Sequence, residues 1–398
     1  MTTLAHDAEH LCEAASRLGS ESAFEVLARA RQLTAMGRDV VHMEIGEPDF
    51  DTPAHIKAAG IAAINENFTH YSPSAGIPEL REAIATYASS FRGVQPWTKE
   101  NVVVSPGAKP VIWNTLSALL DPGDELIYAD PAYPAYASCS AYLGAKAIPV
   151  PLHESMNWRL DIDELASKIT KRTKIVVITS PHNPTGGVLT REDLRAIADL
   201  SLKHGFLVLS DEIYSRNIYG SDFASITQFE GMRERTIVVD GFSKAYAMTG
   251  WRLGYAIMPE KMAKSVTLLA NNTYSCVATF VQKAGIAALQ GPDAPVQEMN
   301  EIFRTRRDRI VAGLNDLPNV SCTLPEGAFY AFPNVSKITH DDKKLASYLL
   351  EEGGVSCLGG SCFGAAGTGY IRFSYAASIE SIEKALVAMR EHLPKFSG

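Results

Sequence analysis

Cysteine is scarce and scattered. Six cysteines stand at positions 12, 139, 276, 322, 357 and 362, and no pair has C-x-x-C spacing. A chain of 398 residues can build a core that needs no disulfide staples, so reduced thiols in a cytoplasmic protein are the expected state. The chain has no H-E-x-x-H motif and no Cys/His cluster, so no metal is expected. Apolar runs are no longer than a strand, which excludes a membrane-spanning helix. Basic residues form no stripe and the net charge is −8, which argues against nucleic acid. The one basic run, RTRRDR at 304–309, reads as the solvated face of a helix. The opening MTTLAHDAEHLCEAASRLGS has early acidic residues and lacks the basic-then-apolar order of a signal peptide. No internal repeat and no low-complexity segment is present.

What the chain does have is a series of short, continuous, β-branched runs. They are NVVVSPG (101–107), ELIYADP (125–131), KAIPVPL (146–152), KIVVITSP (174–181), FLVLSDE (206–212), TIVVDGF (236–242) and GYAIMP (254–259). Continuous rather than alternating apolarity is the mark of strands buried on both faces. Helical periodicity appears between them in KPVIWNTLSALL, DELASKI and REDLRAIADLSLKHG. The alternation predicts an α/β domain with a mostly parallel seven-stranded sheet and flanking helices. GYAIMP follows its predecessor too closely for a crossover helix and is expected to run antiparallel. Near 290 the texture changes to a long charged helix, short strands in AFYAFPNV, GVSCLG and YIRFSYA, and a closing helix, SIESIEKALVAMREHL. This predicts a smaller α+β domain. The expected division is 1–50 packing with the small domain, 51–295 as the large domain and 296–398 as the small one.

Ligands of open α/β sheets bind beyond the carboxyl ends of the strands. There the sequence places Gly107-Ala108 opening a helix, then Tyr133, Asn183, Asp211 with Tyr214, and Ser243-Lys244. A Gly-Ala turn entering a helix offers free backbone N–H groups and the positive dipole end to a phosphate. Arg252 can clamp the same phosphate and Ser243 can add a hydroxyl. Asp211 can keep a pyridine nitrogen protonated, Asn183 and Tyr214 can hydrogen-bond a ring oxygen, and Tyr133 can stack on the ring. Lys244 can condense with an aldehyde and shuttle a proton, with a depressed pKa in that setting. The set describes a site for pyridoxal 5'-phosphate. Blander readings exist for each: Asp211 as a helix cap, Asn183 and Gly46 as turn residues, Arg252 and Arg372 as ion pairs, the tyrosines as core or loop aromatics.

The segments SKAYAMTGWRLGY, SPHNPTGG, SDEIY, EIGEPDFDTP, YSPSAGIPELREAIA and YIRFSYA resemble the class I/II aminotransferases, fold type I of the pyridoxal-phosphate enzymes, in the branch that includes bacterial aspartate aminotransferases. The resemblance covers roughly residues 20 to 390. It implies that Lys244 carries the cofactor in Schiff-base linkage and moves the substrate proton, and that Asp211 pairs with the ring nitrogen. It assigns Asn183 and Tyr214 to the ring hydroxyl and Tyr133 to the stacking position. Gly107, Ala108, Ser243 and Arg252 hold the phosphate. Tyr71 is implied to reach that phosphate from the neighbouring subunit, so a homodimer is expected. Arg372 is implied to grip the substrate α-carboxylate, with Gly46 allowing close approach.

The implied activity is transfer of an amino group between an L-amino acid and a 2-oxo acid. Lys109 matches a lysine that faces a distal carboxylate in some relatives, favouring the aspartate/glutamate–2-oxoglutarate pair. Against it, Glu21 and Ala23 stand where those relatives carry small hydroxyl residues. An inward Glu21 would repel a second carboxylate or pair with Lys109. Elimination or replacement at the substrate side chain, with S-adenosylmethionine as one candidate, therefore stays open. A non-catalytic effector domain of a DNA-binding regulator is disfavoured by the acidic chain and by motifs that begin near residue 20.

Overall fold

A computed structural model describes residues 12–19, 22–220 and 222–397. Each of the seven β-branched runs forms a strand of one sheet. In chain order, after a short strand β1 (Val41–His42), these are β2 (Val102–Ser105), β3 (Glu125–Asp130), β4 (Lys146–Pro151), β5 (Thr173–Thr179), β6 (Leu207–Asp211), β7 (Thr236–Gly241) and β8 (Gly254–Ile257). The spatial order is β2-β8-β7-β6-β5-β3-β4. Only β8 runs antiparallel to its neighbours, as the short connection from β7 requires. β6, β7 and β8 are buried almost throughout because helices cover both faces. β4 lies at an edge, where Pro149 and Pro151 withhold no hydrogen bond that the sheet needs.

Helix ends follow local chemistry. Thr190 accepts from the Asp193 amide, and the Asp193 carboxylate accepts from the Thr190 amide. This reciprocal box starts the helix Arg191–His204. Among the described residues no helix is long and apolar enough to cross a membrane.

The last third builds a second apolar core. β9 (Tyr330–Ala331), β11 (Leu358–Gly359) and β12 (Ile371–Ser374) form an antiparallel sheet in the order β11-β12-β9, while β10 (Val355–Ser356) pairs in parallel with β1. GVSCLG thus divides into two strands. The helix Ala294–Asn315 touches both cores: Val296 and Met299 join that of the large sheet, while Phe303, Ile310 and Leu314 join the second. Ahead of β1, Ala30 and Leu33 pack on Leu350. Arg17 instead donates to the carbonyls of Ala141 and Tyr142 beside the large sheet.

In the run 304–309, Arg304, Thr305 and Asp308 are exposed as expected, while Arg306 and Arg307 depart from the solvated face. Arg306 is 6% exposed and clamps Asp49 with two bonds of 2.6 and 2.8 Å. Buried Arg307 donates to the Pro325 carbonyl. A partner 257 residues away on the Gly46–Phe50 segment is what draws Arg306 inward, and sequence periodicity carries no sign of it.

Candidate active site

The carboxyl ends of β2, β3, β5, β6 and β7 open into one cleft of about 550 Å³. At its floor β2 ends at Ser105, and Pro106 follows. Gly107, at φ +95°, then starts the helix Ala108–Leu119. A Cβ at 107 would stand 2.3 Å from Arg252 Nη2, so glycine is what lets the guanidinium lie over the helix start. Arg252 is held there by the carbonyls of Thr249 (2.9 Å) and Pro106 (3.3 Å). Ser243 lines the same end of the cleft. Free amides, a helix dipole and a guanidinium converge where a phosphate would sit.

Lys244 follows β7 and points into the cleft, its Nζ donating to the Gly46 carbonyl at 2.5 Å. Burial chiefly lowers its pKa to about 8. Glu47 and Asp211 oppose the fall, and Arg372 and Arg252 add to it. In cofactor-free protein, the rate of acylation of Lys244 by an amine-selective reagent is therefore expected to rise with pH and to be half-maximal near pH 8, because only the neutral amine reacts. Peptide mass spectrometry against pH checks this, and a midpoint shared with the surface lysines would refute it.

Asp211, at the end of β6, is buried and accepts from Tyr136 Oη at 2.6 Å and from the Ile213 amide at 3.2 Å. Burial drives its pKa up to about 6 despite these bonds. Tyr136 also lies 3.1 Å from Thr179 Oγ1 at the end of β5. Its ring meets Tyr133 edge-on, at 5.7 Å between centroids. A positive ring nitrogen facing Asp211 would restore the ordinary ionisation of the carboxylate.

On the opposite wall Arg372, from β12, is 4% exposed. It donates to Asn183 Oδ1 at 3.2 Å and to the backbone carbonyl of Glu44, and its Nε has no partner among the described residues. The guanidinium lies over the rings of Tyr330 and Phe363, at 4.7 and 4.8 Å. Tyr330 Oη also hydrogen-bonds Tyr214 Oη at 2.6 Å. A Cβ on Gly46 would fall 1.8 Å from that Tyr330 oxygen, so residue 46 must lack a side chain for the tyrosine pair to form.

The structure thus brings together Gly107, Ala108, Ser243 and Arg252 at one end, Asp211, Tyr133 and Lys244 centrally, and Asn183, Tyr214, Gly46 and Arg372 beyond. Lys109 Nζ lies 5.7 Å from the Tyr133 ring and 5.8 Å from the Phe24 ring, at the mouth. Ala23 lines the cleft. Glu21 lies outside the described residues. Tyr71 is 93% exposed and takes no part in the cleft of its own chain. No cluster of three metal-ligating side chains occurs among the described residues.

Two members escaped the sequence reading. Tyr136 is the second aromatic of PAYPAY, one helical turn after Tyr133, and that spacing was its only signal. Tyr330 read simply as part of a strand. Pyridoxal 5'-phosphate can be tested against this donor set: an anion cradle kept open by Gly107, a buried carboxylate whose pKa burial raises, a desolvated amine, and an Arg372 Nε with no partner among the described residues. Each unmet feature has a complement in the cofactor or in a substrate carboxylate, so the residues fit.

The family model described as aminotransferase class I and II matches residues 38–389. An aspartate aminotransferase of Pyrococcus horikoshii is 41% identical over 350 residues, 87% of this chain and 89% of that protein. An aromatic-amino-acid aminotransferase of Thermococcus litoralis is 38% identical over 359 residues, 89% of this chain and 92% of that protein. Among solved structures, the Thermus thermophilus aspartate aminotransferase with maleate superposes with a TM-score of 0.92 at 36% identity, covering 96% of this chain and 99% of that one.

Proposed function

The chain belongs to the class I and II aminotransferases, and on that premise we propose that it binds pyridoxal 5'-phosphate through Lys244 and prefers a dicarboxylic pair, aspartate or glutamate with 2-oxoglutarate. Members of this family use that cofactor, and the chain is a transaminase that moves an amino group between an L-amino acid and a 2-oxo acid. Elimination or replacement at the side chain is not favoured, since relatives matched over nearly the whole chain are aminotransferases.

When bound, the cofactor supplies an aldehyde that accepts the amine and a ring that takes up the electron pair left by the α-proton. Lys244 Nζ carries that proton, which its lowered pKa of about 8 suits. Asp211, fixed by the hydrogen bond from Tyr136, would hold a positive charge at the ring nitrogen. Arg252, Ser243 and the amides after Gly107 hold the phosphate. Asn183 and Tyr214 would hold the ring hydroxyl, and Tyr133 would pack on the ring. Arg372 takes the α-carboxylate with its unpaired Nε edge. Lys109 takes the distal carboxylate at the mouth of the cleft.

In this reading the protein is a cytoplasmic homodimer in which exposed Tyr71 enters the partner's cleft. The units are 1–50, 51–295 and 296–398. The observation that carries the proposal is a desolvated Lys244 amine in one cleft with Asp211, Arg252 and Arg372.

The test is a half-reaction. The cofactor-loaded protein is mixed with single amino acids and no 2-oxo acid. Glutamate or aspartate is expected to convert the cofactor stoichiometrically to its amine form, faster than alanine, arginine or an aromatic does. A faster aromatic or cationic donor would overturn the dicarboxylic preference. Release of a side-chain fragment with the aldehyde form retained would overturn transamination itself.

A further inference from the structure

Glu44 is 0% exposed, yet it lies in the segment that crosses directly behind Arg372. One carboxylate oxygen is 2.9 Å from His42 Nδ1, and the other is buried with no partner among the described residues. The Glu44 backbone carbonyl accepts from Arg372 Nη2. The two side chains form no direct ion pair. Each therefore keeps an unmet buried atom, Oε2 on Glu44 and Nε on Arg372.

Burying either charge alone is costly. Burial does lower the pKa of Arg372, and Tyr330, Tyr214 and Glu44 each oppose that fall. A resident carboxylate in direct contact would occupy the guanidinium edge that a substrate needs. A carboxylate that is not in hydrogen-bond contact offsets the buried cation and leaves its edge open. The backbone carbonyl needs no carboxylate beside it and His42 meets only one of the two oxygens, so the second, unmet oxygen is left to act on Arg372 through space.

We propose that Glu44 is a positioning residue whose buried carboxylate sets how tightly Arg372 holds substrate carboxylates. It offsets part of the buried charge of Arg372 in the free enzyme and so weakens the net pull on the incoming carboxylate, which lets product leave. The inference rests on the assignment of Arg372 to the α-carboxylate.

The experiment measures affinity on the cofactor-loaded enzyme, using the donor amino acid identified by the half-reaction and its amino alcohol, in which CH₂OH replaces the carboxylate. In Glu44→Gln, of equal shape, the amino acid Kd is expected to fall about tenfold while the amino alcohol is unchanged, the size expected of one buried charge at short range. Glu44→Asp, which keeps the charge, is expected to bind both ligands as the native protein does. An amino acid Kd that is unchanged or raised in Glu44→Gln overturns the proposal, since a purely structural role can only weaken binding. Arg372→Met separates the two ideas. If it abolishes the preference for amino acid over amino alcohol while Glu44→Gln tightens nothing, the Glu44 inference alone fails. If it leaves the preference intact, the assignment of Arg372 fails and the Glu44 proposal with it.

Discussion

Lys244→Ala protein is expected to fold and to lose transaminase activity by about 10³-fold or more, the scale of a lost nucleophile that is also the proton carrier. Lys244 lines the cleft with Asp211 and Arg372, and its Nζ makes one short bond to the Gly46 carbonyl and no ion pair among the described residues, so truncation strands no salt-bridge partner. Lys244→Arg is the sharper variant. A guanidinium keeps the positive charge but cannot deprotonate in this pH range, so it can neither condense with an aldehyde nor accept the α-proton. Both variants are expected to melt within a few degrees of the native protein and to show kcat at the limit of detection. Appreciable turnover by Lys244→Arg would remove Lys244 from the chemistry.

Arg92→Met is expected to cost the fold about 3–5 kcal/mol, as removal of one partner from a buried ion cluster does. Arg92 is 0% exposed, in the helix Pro78–Arg92. It donates from Nε to Glu212 at 2.7 Å and from Nη2 to Asp240 at 2.8 Å. Ser210 and Ser225 hold the other Glu212 oxygen at 2.8 Å, and Tyr255 and the Gly241 amide complete Asp240. Burial opposes the arginine charge, yet the two carboxylates outweigh it and hold its pKa above the ordinary value.

Methionine fills much of the volume but leaves two buried carboxylates with no cation. Asp240, already raised by burial even with Arg92 in place, would then rise further. Its folded pKa would stand well above the unfolded one, so the penalty is full above the folded value and shrinks as pH falls through it. Urea unfolding is therefore expected to show a larger deficit near neutral pH than in mild acid. Activity is expected to fall with stability, because Glu212 adjoins Asp211 and Asp240 lies four residues before Lys244. The cluster ties the ends of β6 and β7 to one helix. A deficit equal at both pH values would mean that the loss is one of packing and not of charge.

The central sheet was legible because burial on both faces writes itself as uninterrupted β-branched runs, and because the close spacing of TIVVDGF and GYAIMP permits only an antiparallel step. The residues just beyond those runs were legible for a related reason. Short loops at the carboxyl ends of parallel strands have nowhere to point but the common cleft, so Gly107, Tyr133, Asn183, Asp211 and Lys244 converge once the sheet exists.

Other residues depend on partners that lie far off in the chain. Tyr330 meets Tyr214 across 116 residues, and Arg92 meets Glu212 and Asp240 across 120 and 148. Arg306 reads as one of a polar run until Asp49 takes it inward. Nothing in the local sequence sets Glu44 apart until Arg372 is seen on its carbonyl. The sequence by itself determined the secondary structure, the strand ends and the kind of chemistry, since each is set by local periodicity and residue type. Only the tertiary structure decided which buried charges are balanced, by whom and with which atoms left over, because that balance depends on distances and desolvation between segments that no local pattern relates.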